Sequence, residues 1–409
     1  MIRLGTLFSG IGAIEQALQK MGVAHTNVFA CDNGELELNL LSSNDLQDYN
    51  RLKKIASYRI TAIEKKELKK LISKEEKELD KCFKYIHSLN SIQAKKEYVD
   101  GLYQNHSIGE NLVKETYLAN YKIGKNDFHL DVRLLDGSDY KDKVDLMVGG
   151  SPCQSFSSNG KRGGIDDTRG TLFHHYARII SEVNPKCFIF ENVRGMLVHD
   201  NGRTWDIIKK TFRSLNYDIY LHHDEKGNET PLLNACDYGI PQNRQRIYLV
   251  GIRNDIKLSS PFVFPEPIKL TKTNKDFLDE CIPAKYYLGK KGFEFVTTHP
   301  TRAQVGRSIQ KCQKANQQFN WNGDFIFEPL NKRKHTKEIL DRAFVGEWNG
   351  QKGVIRMYTP RECLRLMGYP DTFVMPHNDN VMWRQSGNSI VVNVLEALVK
   401  ALEKTGVFN

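Results

Sequence analysis

The sequence predicts an α/β fold, an open and mostly parallel sheet with helices on both faces. Apolar runs of strand length alternate with helix-period segments, the first turn between them is glycine-rich, and the residues best suited to chemistry stand directly after apolar runs, at the sheet edge where ligands of such folds bind.

Residues 1–35 read as strand (2–8), turn (Ser9-Gly10-Ile11-Gly12), helix (13–21) and strand (28–31). The alternation returns after residue 128, with strands expected at 144–148, 187–190, 217–221 and 246–250 and helices at 171–183 and 203–215. Between these stretches there is no glycine from Gly34 to Gly101 and no proline before Pro152. Leu52, Ile55, Leu68, Leu71, Leu79, Phe83 and Ile86 recur there at helical spacing, so a long helix or helical hairpin is expected as an insertion at about 44–112. Residues 255–355 show little periodicity and many Gln, Asn, Lys and Arg side chains, as a separate small domain would. Helices at 360–367 and 390–404 close the chain. The expected organisation is a body at 1–254 carrying the insertion, a small domain at 255–355, and a segment at 356–409 that returns to the body.

The 409 residues carry a formal charge of +10, which suits a polyanionic partner without requiring one. Residues 51–100 hold 14 basic against 8 acidic side chains and residues 255–355 hold 17 against 11, while the remainder is slightly acidic. That distribution fits a near-neutral body with separate phosphate-neutralising surfaces, although lysine-rich surfaces also serve solubility. The eight cysteines form no Cys-x-x-Cys pair, so no metal site is expected and a reducing cytoplasm is. No signal-type N-terminus or membrane-length apolar window is present, and the expectation is a soluble, unprocessed protein.

Phe8-Ser9-Gly10-Ile11-Gly12 follows a strand and opens a helix, so its backbone N–H groups and small residues let an adenosine cofactor approach closely. Asp32, at the end of the next strand, is placed to accept hydrogen bonds from ribose hydroxyls. NAD-type enzymes share this pattern, and other residues must decide. Gly149-Gly150-Ser151-Pro152-Cys153-Gln154 puts a cysteine at the carboxyl edge, and Phe190-Glu191-Asn192-Val193 adds an acid whose partly apolar setting raises its pKa. The pair suits cytosine chemistry: C5 is a poor nucleophile until a group adds at C6, which Cys153 can do if Glu191 serves N3. Arg244 and Arg246 stand at period two at the start of a strand, positioned to hold an anion or a carbonyl. Without that context they would read as solvated edge-strand arginines.

The ordered series of motifs resembles the bacterial DNA (cytosine-5) methyltransferases, particularly the small type II restriction-modification enzymes typified by the HhaI methylase. It runs through Thr6-Leu7-Phe8-Ser9-Gly10-Ile11-Gly12, Asp32, Gly150-Ser151-Pro152-Cys153-Gln154, Asp167-Thr168-Arg169-Gly170-Thr171-Leu172-Phe173 and Glu191-Asn192-Val193. It continues through the stretch from Asp237 to Arg246, that from Pro360 to Pro370, and Gly387-Asn388-Ser389. It covers roughly residues 1–40, 115–256 and 354–409, and not the two basic segments.

The resemblance implies a Rossmann-like fold dependent on S-adenosylmethionine, with Cys153 as nucleophile, Glu191 as N3 partner, and Arg244 and Arg246 holding the base and its surroundings. It implies cofactor contacts from Phe8, Gly10, Ile11, Gly12, Asp32, Asn33, Asp131, Val132, Pro152, Leu172, Asn388, Ser389 and Ile390. Residues 155–169 would close over DNA as a loop, with Gly160, Gly163 and Gly164 as its flexible points and Lys161, Arg162 and Arg169 meeting phosphates. Residues 255–355 would recognise a short sequence in double-stranded DNA. The expected partners are that DNA and a cognate endonuclease acting on the same site; no membrane partner and a monomeric, cytoplasmic, bacterial or phage-encoded protein are expected.

Ala13 stands where a third glycine is frequent and Asp32 where glutamate is common, each keeping small volume or charge. The insertion is the larger departure, readable as an extra DNA contact, a partner surface or a scaffold. Competing readings are an RNA cytosine methyltransferase, disfavoured because no Cys-Phe-Thr stands between Arg246 and Pro360, a non-catalytic DNA-binding paralogue, disfavoured by the intact reactive residues, and an oxidoreductase, which has no use for them.

Overall fold

The computed structural model describes residues 1–56, 60–151, 171–224 and 226–409. Strands β1 (Ile2–Leu7), β2 (His25–Cys31), β3 (Phe128–His129), β4 (Leu146–Gly149), β5 (Cys187–Val193), β6 (Tyr217–Tyr220), β7 (Leu232–Asn234), β8 (Gln242–Asn243) and β9 (Gln245–Arg253) follow in chain order. The main sheet is ordered β3-β2-β1-β4-β5-β9-β6, with β7 paired to the start of β9. Strands β1 to β5 are parallel, and β9 is antiparallel to both β5 and β6. The mixed, mostly parallel sheet is as expected, and its one reversal matters for the site. Because β9 runs backwards, its first residues lie at the edge where β5 ends, and Val193 pairs with Arg246.

The strands alternate between two cores. Along β5, Cys187 and Ile189 face one core and Phe188 and Phe190 the other, and β9 divides Tyr248, Val250 and Ile252 from Ile247 and Leu249 in the same way. A strand buried on both faces has this period-two division with apolar residues at every position. Helix α1 (Ala13–Lys20) packs on the first core.

The inserted stretch forms α2 (Ser43–Ala56), α3 (Ala62–Ser88) and α4 (Ile92–His106), and α5 (Leu112–Asn120) follows it. α3 opens on a capping box in which Thr61 and Glu64 satisfy each other's backbone N–H groups at 3.2 and 2.9 Å. Ile86 of α3 and Val99 and Tyr103 of α4 meet Leu38, Leu130 and Leu134 of the body in a small apolar cluster. On the second face of the sheet, α6 (Leu172–Val183) and α7 (Arg203–Ser214) bury Phe173, Tyr176, Trp205, Ile208 and Phe212.

Further along come α8 (Lys290–Thr298), β10 (Gln304–Val305), β11 (Gln310–Lys311), β12 (Asp324–Pro329), α9 (Lys337–Arg342), β13 (Gly346–Trp348) and β14 (Gln351–Arg356). A second sheet is ordered β10-β12-β14-β13, and β11 leaves it to pair with β8 of the body, Gln310 opposite Gln242 and Lys311 opposite Asn243. Helices α10 (Pro360–Arg365), α11 (Asp379–Asn388) and α12 (Val392–Lys404) return to the body, where α12 packs beside α1 in the first core. Among the described residues no helix is long and apolar enough to cross a membrane, and no group of side chains is arranged to hold a metal ion.

The second sheet is joined to α10 by a fully buried arginine. Arg356 donates from Nε to Glu328 Oε1 at 2.7 Å and from its two terminal nitrogens to both oxygens of Glu362 at 2.9 Å. Glu362 also accepts the backbone N–H groups of Asp279 and Thr359. Burial pushes the Glu328 carboxyl up, but Arg356, Lys334 and His335 outweigh it and hold it at about 2. Removing one partner of such a pair leaves uncompensated buried charge. The Arg356→Met variant is expected to lose about 3–5 kcal/mol of unfolding free energy, measured by urea denaturation at pH 7; a loss below about 1 kcal/mol would show that the bracket is dispensable.

Candidate active site

The glycine-rich turn is fastened from below. Gly10 N–H donates to Asp32 Oδ2 and Gly34 N–H to Asp32 Oδ1, both at 2.8 Å. Burial pushes the Asp32 carboxyl up while these two N–H groups pull it down, and the net displacement is upward. Ser9 Oγ shares a hydrogen with Thr6 Oγ1 at 2.7 Å and accepts Cys31 N–H at 2.9 Å. Phe8, Gly10 and Gly12 all have positive φ, at 52°, 53° and 77°, a region that an aromatic residue occupies only when its surroundings hold it there. A Cβ added at Gly10 would meet nothing within 4 Å, whereas one at Gly12 would run into the Tyr121 ring. The turn is therefore closed towards the core and open above Gly10, the shape that close approach of an adenosine group requires.

The other expected cofactor residues that the structure describes are found in different states. Ile11 is core, and Asn33 uses its amide locally on Leu36 O at 2.8 Å. Asn388, on α11, donates to Glu35 Oε1 at 2.8 Å, and Ser389 shares a hydrogen with Tyr369 OH at 2.8 Å. Ile390 packs on the first core and Leu172, at the first position of α6, on the second, both partly exposed. Asp131 and Val132 follow β3 at the same carboxyl edge and are buried. The Asp131 carboxylate is already engaged by Arg133 and Tyr103, and Val132 O accepts Arg178 Nη2 at 2.8 Å. Sequence reasoning missed Tyr103, because an inserted helix gives no sign of which neighbour it will touch.

Glu191 sits further along the edge, on β5. Its carboxyl Oε1 lies 3.3 Å from Arg246 Nε, and burial raises its pKa against the pull of Arg246 and Arg244. A Cβ on Gly150 would strike the backbone of Glu191 and come within 3.1 Å of its Oε2, so only glycine lets these two strand ends pack so closely. Next to it, Asn192 Nδ2 donates to Ser151 O at 2.8 Å. The last described residue before Pro152 and Cys153 is thereby tied to the strand that carries the acid. Pro152 and Cys153 themselves lie outside the described residues, as do Gly160, Lys161, Arg162, Gly163, Gly164 and Arg169.

The two arginines part company. Neither is a solvated edge side chain: Arg244, just before β9, is buried, and Arg246 lies on β9, which is flanked on both sides. Arg246 faces Glu191, whereas buried Arg244 donates to three main-chain carbonyls: Gln313 O at 2.8 Å, Gly387 O at 3.0 Å and Ser389 O at 2.8 Å. Cys312 Sγ lies 3.5 Å from a terminal nitrogen of each guanidinium, a neighbour for which the sequence offers no signal.

A mixed α/β sheet with a cofactor-type turn and a partly buried carboxyl–guanidinium pair along one edge defines the class of Rossmann-like methyltransferases. The chain matches the C-5 cytosine-specific DNA methylase family over residues 94–404. It is 36% identical over 301 residues, 72% of each chain, to the type II methyltransferase M.SsoII of Shigella sonnei. With M.HhaI of Haemophilus parahaemolyticus it shares 34% over 260 residues, 62% of this chain and 73% of the other. The fold is also that of Schizosaccharomyces pombe Dnmt2, with a TM-score of 0.57 at 17% identity covering 98% of this chain and 97% of that one. The chain belongs to the C-5 cytosine-specific DNA methylases. It is an S-adenosylmethionine-dependent enzyme that methylates C5 of cytosine in DNA, in a restriction-modification setting.

Beneath the glycine turn, Glu15 is fully buried. Its Oε1 accepts Tyr117 OH at 2.7 Å, and burial raises the carboxyl to about 7 against that bond. An unfolded glutamate ionises near 4.5, so the folded state holds an extra proton between about 4.5 and 7 and loses stability as pH rises through that window. Glu15→Gln keeps the acceptor for Tyr117 and removes the titration. Its unfolding free energy is expected to fall less than that of the wild type from pH 4.5 to pH 8, by on the order of 3 kcal/mol; parallel pH dependences of stability by scanning calorimetry would refute the assignment.

Proposed function

We propose that the enzyme turns a cytosine out of duplex DNA at one short sequence, that Cys153 adds to C6, and that the modified site is thereby protected from a cognate endonuclease. The observation that carries this reading is the pair of strand ends at β4 and β5: a mostly buried Glu191 with a raised pKa beside Arg246, and Asn192 holding Ser151 two residues before Cys153. Glu191 keeps a proton at cytosine N3, which makes C6 electrophilic enough for the thiolate. S-adenosylmethionine, when bound, supplies an electrophilic methyl group. C5 gains that methyl, its proton leaves, and the C6–S bond breaks to return Cys153.

In the same reading Arg246 orients Glu191 and the base, and Arg244 fixes the walls of the pocket through the carbonyls of Gln313, Gly387 and Ser389. Phe8, Gly10, Ile11, Gly12, Asp32, Asn33, Asp131, Val132, Pro152, Leu172, Asn388, Ser389 and Ile390 surround the methyl donor, and the open space above Gly10 suits its adenosine part. Residues 1–254 are the catalytic body, 255–355 the recognition domain reading base edges in the major groove, and 356–409 the return to the body. One monomer serves one strand.

The test is incubation with tritiated S-adenosylmethionine and mixed-sequence duplex DNA, with products mapped by bisulfite sequencing. Label at C5 in one short context, absent with Cys153→Ala and reduced about 10²–10⁴-fold with Glu191→Gln, is the expected result. Label that survives Cys153→Ala, or that goes to RNA and never to DNA, overturns it.

A further inference from the structure

The inserted helices touch the part of the sheet edge assigned above to the methyl donor, and they touch it at three places. Tyr103 of α4, itself buried, donates its hydroxyl to Asp131 Oδ2 at 2.9 Å. Arg133 engages the same carboxylate from its backbone N–H at 2.9 Å, from Nε at 3.0 and 3.1 Å and from Nη2 at 2.7 Å. Both oxygens are thus supplied with donors, and the carboxylate works as a bracket rather than as a free acceptor. Phe83 of α3 lies 4.6 Å beneath the Arg178 guanidinium, and that group donates to Val132 O at 2.8 Å and Leu135 O at 2.9 Å. Asn111, at the end of the inserted stretch, donates from Nδ2 to Asp32 O at 2.7 Å. Gly34 has φ 63° and lies so close that a Cβ there would collide with the Asn111 side chain.

Asp32 and Asp131 follow the paired strands β2 and β3 at one edge, Cys31 opposite His129. Burial pushes the Cys31 thiol well up, and the carboxylates of Asp131 and Asp32 add to that push. We infer that the insertion is a working part of the methyl-donor site, with Tyr103 and Asn111 as positioning residues that hold the turns carrying Asp131 and Asp32 in their binding geometry. The inference rests on the methyl-donor reading of that edge. It also assigns the lysine-rich helices a task other than gripping DNA.

The experiment is isothermal titration of the full-length enzyme with S-adenosylhomocysteine, alongside steady-state kinetics in both substrates. Tyr103→Phe removes one hydroxyl and keeps the ring that packs in the inserted cluster. It is expected to weaken S-adenosylhomocysteine binding and raise KM for S-adenosylmethionine about tenfold, with kcat at saturating cofactor and the Kd for DNA within about twofold of wild type. Asn111→Ser retains a helix-capping oxygen but cannot reach Asp32 O, and the same split is expected of it should Tyr103→Phe fail to fold. Unchanged S-adenosylhomocysteine affinity in both variants, or a loss confined to DNA affinity, overturns the inference while the site assignment stands. A wild-type enzyme that binds no S-adenosylhomocysteine overturns both.

Discussion

The guanidinium of Arg244 is the fixing point of this molecule. It leaves the sheet beside Arg246 and ends on three carbonyls, one at Gln313 and two where α11 ends before α12. Three parts of the chain more than sixty residues apart therefore share one planar donor, whose geometry tolerates little displacement of any of them. Arg246, two residues on, is left to face Glu191. Of the two arginines, one is spent on main-chain carbonyls and the other faces an acid.

Much of this was legible in the sequence, for identifiable reasons. Strands buried on both faces read as continuous apolar runs, so β1, β4, β5 and β9 stood out, and the residues directly after β1, β4 and β5 fell at the ligand-binding edge. The direction of β9 was not legible, because an apolar run has no polarity; only its pairing, antiparallel to β5, explains how arginines at a strand's start join an acid near another strand's end. The segment from β10 to β14 was opaque for a different reason. Its strands are two to six residues long, and Gln310, Gln313, Gln317 and Gln318 are buried, so polarity does not mark the surface there.

The insertion illustrates the limit of composition. Most of its lysines and glutamates lie along solvated faces and say little beyond solubility, while the contacts with the body come from a few side chains, Phe83, Lys95, Tyr103 and Asn111. Those contacts are long-range in sequence and carry no local pattern. Helical spacing was enough to announce the helices, and only the packed structure shows that they lean on the sheet edge.

The pairing of β11 with β8 bears on how such enzymes can be recombined. Gln310 and Lys311 add main-chain hydrogen bonding to the body immediately before Arg244, and the chain then passes straight to Cys312 and Gln313 at the arginines. A stretch that lies within residues 255–355 by sequence thus belongs to the body by contact. An exchange of residues 255–355 between relatives that cuts at the outer limits of that segment would replace the carbonyl on which Arg244 ends; cuts that leave residues 310–313 with the host body would not.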